Sequence, residues 1–430
     1  MLETKNANSL YKKPPIELLK EGAPFEFNHK KRHLETIFKH YGIYVNVVNV
    51  FESYSVTRYE VTILPGTKLS EVYDMEDDLE YQLGNGPVRI ERATTGDPII
   101  GIEVPNGKFR YLPIRELIES TDFVSDISSS AIAIGTDKNR ETVIADLNTI
   151  SHLLIAGSAG SGKTMFINSL IISILYKSSP DDVQLVLIDP KGTEFDIYNG
   201  IPHLPIKVIT QVRDASEILR WAVLEMERRY ELFVNTETKS IEDYNRYIMN
   251  EKAKDHTSIE MNQENKELCK DFKKLQHVVI IIDCLTELMF SEPSEIEESI
   301  CRLAQLSRAA GIHLIISTQM LSYNVLTGLI KANMPSRIAF AVPNAEDSIT
   351  IIDQEGAEKL LGEGDMLFYP RGYSKPIRLQ GAYVSDDEIT SVVEYIKDSA
   401  HYETFDNPIA EDEVIKTLNK KIEETVTTSE

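Results

Sequence analysis

The eight residues Gly157-Ser158-Ala159-Gly160-Ser161-Gly162-Lys163-Thr164 lie between an apolar run ending at Ala156 and a helical stretch from Met165 to Tyr176. That strand-loop-helix setting is what a phosphate-binding loop requires. Glycines let backbone N–H groups turn inward on phosphates, Lys163 reaches the β- and γ-phosphates, and Thr164 offers its hydroxyl to Mg²⁺. The positive end of the following helix adds to the same field. The chain is therefore expected to bind a nucleoside triphosphate.

With 430 residues, 42 % of them hydrophobic and 26 % charged, the chain has room for two or three folded domains. Its three cysteines, Cys269, Cys284 and Cys301, form no C-x-x-C pair, which argues against a disulfide framework or zinc site and fits a reducing compartment. No apolar run approaches the length of a membrane span, and the start Met1-Leu2-Glu3-Thr4 is not that of a signal peptide, so a cytoplasmic location without membrane insertion is expected. A net charge of −23 argues against a nucleic-acid partner on average, because phosphate contacts need Lys and Arg. A ring can nevertheless keep an acidic exterior and carry a few basic loops in its pore.

The pattern divides the chain into a polar leader (1–34), a small α+β domain (35–124), an α/β unit (125–400) with a charged insertion (234–276), and a polar tail (401–430). In the first domain a helix near 33–40, strands at 44–50 and 56–63, a helix over 69–82 and strands at 88–91 and 99–104 are expected. In the second, strands at 152–156, 183–189, 277–283, 312–318 and 337–342 alternate with helices at 163–176, 213–233 and 294–309. Such alternation implies a parallel sheet covered on both faces.

Further positions carry chemistry in this frame. Val278 to Ile282 is an apolar strand that ends in Asp283, placed to hold Mg²⁺ together with Thr164. Gln319 follows Leu314-Ile315-Ile316-Ser317-Thr318, where a polar tip can sense the γ-phosphate. Asp189-Pro190-Lys191 follows the strand before it over the same crevice.

These residues, with Arg58-Tyr59-Glu60-Val61, Ile188-Asp189-Pro190-Lys191, Tyr198 to Leu204, Glu225 to Tyr230, Ser307 to Leu314, Thr327 to Asn333 and Gly356 to Gly362, resemble the FtsK/SpoIIIE family of double-stranded-DNA translocases over about 35–395. The resemblance implies an α domain followed by a RecA-like P-loop ATPase domain, ATP and Mg²⁺ as ligands, duplex DNA as substrate, and a homo-hexameric or mixed ring acting in DNA transfer or segregation. The family's amino-terminal membrane segment and carboxy-terminal winged-helix reader have no counterpart in this sequence.

The departures are as informative. The family pattern Asp-Glu-Phe/Leu-Ala-Asp here reads Asp283-Cys284-Leu285-Thr286-Glu287, so the water-polarising glutamate is replaced by a thiol. Glu287, on the following helical turn, is expected not to reach that water. Two arginines of the pattern are replaced by Met320 and Ile349, while Arg308 and Arg337 persist as candidate trans contacts. Lys331 and Arg337 are the first places to look for DNA, through its phosphates rather than its bases. The reading is thus a DNA translocase in which Lys163 holds phosphate, Thr164 and Asp283 hold the metal and Gln319 senses the γ-phosphate. The alternatives are a hydrolysis-poor regulatory or ring-mixing subunit and, behind that, a motor like those of type VII protein export.

Overall fold

The structure, a computed structural model, describes residues 11–22, 31–91, 99–107, 110–255 and 273–399. The expected tail, part of the leader and the central part of the charged insertion lie outside them.

Strands β1 (Val45–Glu52), β2 (Val56–Ile63), β3 (Arg89–Glu91) and β4 (Ile99–Pro105) form an antiparallel sheet in the order β1-β2-β4-β3. Helices Lys31–His40, Leu69–Tyr73 and Glu76–Leu83 supply the rest of this core, with Leu34, Phe38, Val72 and Leu79 meeting Val47, Val61 and Ile102. The helix expected over 69–82 is therefore two helices, separated at Asp74 and Met75.

The remaining strands are β5 (Leu112–Pro113), β6 (Ala131–Thr136), β7 (Thr142–Asp146), β8 (Leu153–Ala156), β9 (Val183–Ile188), β10 (His277–Asp283), β11 (Ile312–Thr318), β12 (Ser336–Phe340), β13 (Asp365–Tyr369) and β14 (Ile377–Tyr383). They make one sheet in the order β7-β6-β14-β13-β12-β8-β11-β10-β9, with β5 beside β14. From β12 to β9 the pairing is parallel, as expected. From β13 to β7 it is antiparallel, a half-sheet that the alternation of strands and helices did not signal.

Successive side chains of a strand point to opposite faces. Val279 and Ile281 of β10 accordingly enter the core that holds helix Lys163–Lys177, while Val278, Ile280 and Ile282 enter the core beneath helices Val212–Asn235 and Pro293–Leu306. Helix Lys163–Lys177 is apolar nearly all round because it packs on β6 and β14 and under helix Ile114–Ile118. Leu112, Ile114, Leu117 and Phe123 belong to this core, so residues 112–123 pack with the large sheet, on the amino-terminal side of the boundary expected at 124. Leu19 joins the same core, and the Tyr11 hydroxyl donates to the Leu175 carbonyl at 3.0 Å, which fastens part of the leader to this unit.

The two units meet at a buried ion-pair cluster. Glu103 of β4 accepts from Arg58 (3.0 Å) and Arg89 (3.0 Å) of its own sheet and from Arg378 of β14 (2.8 Å); Arg378 also grips both oxygens of Asp365, at 2.9 and 2.6 Å. Burial alone would push the Glu103 carboxyl up, but Arg89, Arg378 and Arg58 outweigh it and hold the carboxyl well below the usual carboxylate range. A β-carbon at Gly101 would fall 2.3 Å from the Arg58 guanidinium carbon, so the cluster requires a glycine there. Removing one partner from a buried charge network typically costs about 3–5 kcal/mol, because the others stay buried and uncompensated. Arg378→Met is expected to lower the unfolding free energy by roughly that amount in urea titrations at neutral pH. Since the folded pKa of Glu103 is depressed, its contribution is present above the ordinary glutamate range and disappears on acidification, so Glu103→Gln should flatten the loss of stability below about pH 5.

Candidate nucleotide-binding site

Parallel pairing places the carboxyl ends of β8, β9, β10, β11 and β12 along one edge of the sheet, and the chemistry gathers there. β8 lies between β12 and β11, so the loop that leaves it at Gly157 is hemmed in on both sides. Gly157 has φ 156° and a β-carbon there would lie 2.7 Å from Cβ of Phe340. Gly162 has φ 106° and a β-carbon there would lie 2.5 Å from the Gly364 amide nitrogen. Only glycine satisfies the conformation and the space at both positions. Gly364 N–H donates in turn to the Ser161 carbonyl at 3.3 Å, and Ser158 N–H donates to the Ala341 carbonyl at 2.9 Å, which ties the loop to its surroundings.

Lys163 is 4 % exposed, and its ammonium donates to the carbonyls of Gly157 (2.8 Å) and Ser158 (2.6 Å). Burial pushes its pKa down to about 8, an effect that the charge of Asp283 only partly offsets. An ammonium in that state gains strongly from an incoming anion. Thr164 Oγ1 stands 3.5 Å from Asp283 Oδ2, at the tip of β10. Burial pushes the Asp283 carboxyl up, and the charge of Asp189 adds to the effect. A hydroxyl and a buried carboxylate this close form the hard-oxygen pair that suits Mg²⁺ shared with phosphate oxygens.

Asp189, fully buried at the end of β9, accepts from the backbone N–H groups of Lys191 (3.2 Å), Gly192 (3.1 Å), Glu194 (2.8 Å) and Phe195 (3.3 Å). This turns the following loop back over the strand tips and puts Lys191 on the wall of an open cavity of about 420 Å³. Ser158, Cys284, Glu287, Gln319 and Asp347 line the same cavity. Gln319 thus lines the cavity next to the phosphate loop. Cys284 is buried, with Sγ donating to Thr286 Oγ1 at 3.2 Å, and Thr286 Oγ1 lies 3.3 Å from Thr318 Oγ1. Glu287 lies in the first turn of helix Leu285–Ser291, which begins directly after Cys284, and it lines the cleft. Asp347 was missed by the sequence reading; its signal was the Asn344 cap that opens helix Ala345–Ile352 at the cavity mouth.

The structure does not bring the remaining cations to this cleft. Arg337, the second residue of β12, is 8 % exposed and donates to the carbonyls of Met334, Ile351 and Lys331 and to Asp353 at 2.7 Å. Lys331 pairs with the same aspartate at 3.3 Å. Arg308 is exposed and donates to the Asn148 carbonyl at 2.7 Å. All three lie near the amino-terminal ends of the parallel strands, at the edge opposite the phosphate loop. Met320 and Ile349, where the family pattern carries arginines, are 40 % and 44 % exposed.

Residues 113–323 match the FtsK/SpoIIIE family model, and residues 8–106 match the FtsK alpha domain. The chain is 48 % identical over 401 residues to the DNA translocase FtsK of Caldanaerobacter subterraneus subsp. tengcongensis, covering 91 % of this chain and 54 % of the relative. It is 43 % identical over 405 residues to the DNA translocase SpoIIIE of Bacillus subtilis, covering 92 % and 50 %. The chain thus spans about half the length of the curated relatives it matches. Among solved structures, the pCW3 conjugation coupling protein TcpA, in a monomer form with ATPγS, superposes with a TM-score of 0.55 at 22 % identity over 85 % of this chain and 99 % of that one. The cytoplasmic domain of the type VII secretion ATPase EccC from Thermomonospora curvata does so with a TM-score of 0.51 at 22 % identity over 62 % and 31 %. These two likenesses speak to the fold alone, a P-loop ATPase core. With both family models matched in order, over a chain whose phosphate loop places Lys163 and Thr164 beside Asp283, the chain belongs to the FtsK/SpoIIIE family.

Proposed function

We propose that the chain is an ATP-driven motor unit that moves along double-stranded DNA as part of a ring. The observation that carries this reading is the convergence of Lys163, Thr164 and Asp283 at one sheet edge, with Gln319 on the wall of the adjoining cavity. Lys163 would exchange its two carbonyl partners for phosphate oxygens, which suits an ammonium already stripped of water. Thr164 and Asp283 would hold Mg²⁺, which when bound neutralises charge on the β- and γ-phosphates. Gln319 would orient the terminal phosphate, and Lys191, within the electrostatic reach of Asp283, would add positive charge to the cleft.

Duplex DNA as the substrate rests on the family. Among the described residues, the exposed Arg308 and the partly exposed Lys331, which pairs with Asp353, offer cations for phosphate contacts in an otherwise acidic chain. Contacts of that kind are blind to base sequence, as movement along DNA demands. One observation favours a second reading, that of a regulatory subunit mixed into a ring with a related translocase: a thiol occupies position 284 and exposed apolar side chains occupy 320 and 349. Steady-state ATP hydrolysis with and without duplex DNA separates the two. Stimulated turnover of about one per second or faster lies in the ordinary enzyme range and supports the motor, whereas nucleotide binding without turnover supports the regulatory subunit.

Two outcomes are expected on purified protein. Lys163→Ala should weaken binding of a non-hydrolysable ATP analogue by ~30–150-fold in calorimetric titration, the value of a charge-assisted hydrogen bond of about 2–3 kcal/mol. Undiminished affinity would contradict the assignment of the loop. In solution mass measurements the protein should gain higher-order species, up to a hexamer, on adding nucleotide or duplex DNA; a strict monomer under every condition would contradict the ring.

A further inference from the structure

The unexplained feature of the cleft is its missing water-activating group. At position 284 a buried thiol donates to Thr286, and it replaces the carboxylate of the family pattern. The next carboxylate along the same element is Glu287, and three observations single it out. It lines the cavity together with Ser158 of the phosphate loop, Cys284 and Gln319, so it shares a wall with the phosphate loop and with the residue read above as the γ-phosphate sensor. The helix turn that carries it is anchored: Leu285 and Leu288 are fully buried, and Thr286 lies 3.3 Å from Thr318 at the tip of β11. Its carboxylate is exposed, and among the described residues no hydrogen bond or ion pair holds it.

The other acids near the cleft are engaged elsewhere. Asp347 accepts from the Asn344 side chain at 3.0 Å within a helix cap. Glu194 lies on the loop after β9, off the cavity wall, and its carboxyl is pushed up by burial and then by the charge of Asp283. The sequence pattern agrees with the geometry. Where the family pattern reads aspartate at the fifth position, this chain has glutamate, one methylene longer, and the carboxylate at the second position is gone.

We infer that Glu287 is the catalytic residue that accepts the proton of the attacking water, a carboxylate that stands one helical turn beyond the position occupied by Cys284. The inference rests on the reading of the cleft as an ATPase site. In the step, the water oxygen forms a bond to the γ-phosphorus while the bond from that phosphorus to the β–γ bridging oxygen breaks. The electron pair of the broken bond stays on the bridging oxygen, and ADP departs with it. The water proton passes to the Glu287 carboxylate and then to solvent through the open side of the cavity. Gln319, on the same wall, orients the phosphate during the transfer.

The test uses the full chain with saturating duplex DNA and compares Glu287→Gln with the unmodified protein for both hydrolysis rate and affinity for a non-hydrolysable ATP analogue. A positioned base is worth ~10²–10⁴ in rate, so Glu287→Gln is expected to lose at least ~100-fold in turnover while analogue affinity stays within about threefold. Adding Cys284→Glu to Glu287→Gln should return at least ~10-fold of the lost rate, because it restores a carboxylate next to Asp283, a rescue that a merely structural role for Glu287 would not allow. Hydrolysis by Glu287→Gln within about threefold of the unmodified rate overturns the inference. So does transfer of the loss to Glu194→Gln or Asp347→Asn. Unmodified protein that binds the analogue but never turns over ATP overturns the role of Glu287 and leaves the nucleotide site standing. Failure to bind the analogue at all overturns both.

Discussion

An ammonium group held almost entirely out of water is the fact around which the rest of this molecule is arranged. Lys163 can sit there only because the β8 loop lends it two carbonyls and because Asp283 supplies opposite charge from a strand two places away in the sheet. That placement depends on both faces of the parallel strands being covered. Val278 to Ile282 read as an uninterrupted apolar run because one core takes alternate residues and a second core takes the others. The cost of desolvating the lysine is what makes the loop a site for polyphosphate rather than a simple turn.

A continuous set of contacts runs from this loop to the other folded unit. The residues after Gly362 close against the phosphate loop through Gly364, whose amide meets the Ser161 carbonyl; the next residue, Asp365, is clamped by Arg378, and Arg378 also holds Glu103 of the four-stranded sheet. Lys359 with Glu76, and Lys138 with Glu60 at 2.7 Å, add further ties between the units. The small domain is thus fastened to the strand next to the segment that backs the phosphate loop, rather than to a remote surface. Burial gives these charge pairs geometric specificity, since each partner left alone would be costly.

Much of this was legible in the sequence where a local pattern has a single physical meaning. Glycines at 157, 160 and 162 before a lysine, and an apolar strand ending in Asp283, mark the site because each residue type is required by φ, by space or by charge. The antiparallel half of the sheet was not legible: no helix separates β6 from β7 or β13 from β14 to announce them. The pairing of Glu103 with Arg378 joins residues 275 positions apart, and a charge in a sequence does not name its partner. Arg337 has the composition of a surface cation, yet three carbonyls and Asp353 enclose it. Glu287 depends on where a helix begins, and a shift of a residue or two there decides whether a side chain faces the cleft or turns away.

The central claim is that nucleotide turnover at this cleft drives movement along duplex DNA. Displacement of a third strand annealed to a long duplex measures such movement directly, because the strand is released only when something travels through it. The account predicts release that requires ATP, fails with a non-hydrolysable analogue, and is lost in Lys163→Ala. Brisk DNA-stimulated hydrolysis with no strand release, or release that is indifferent to ATP, would contradict it.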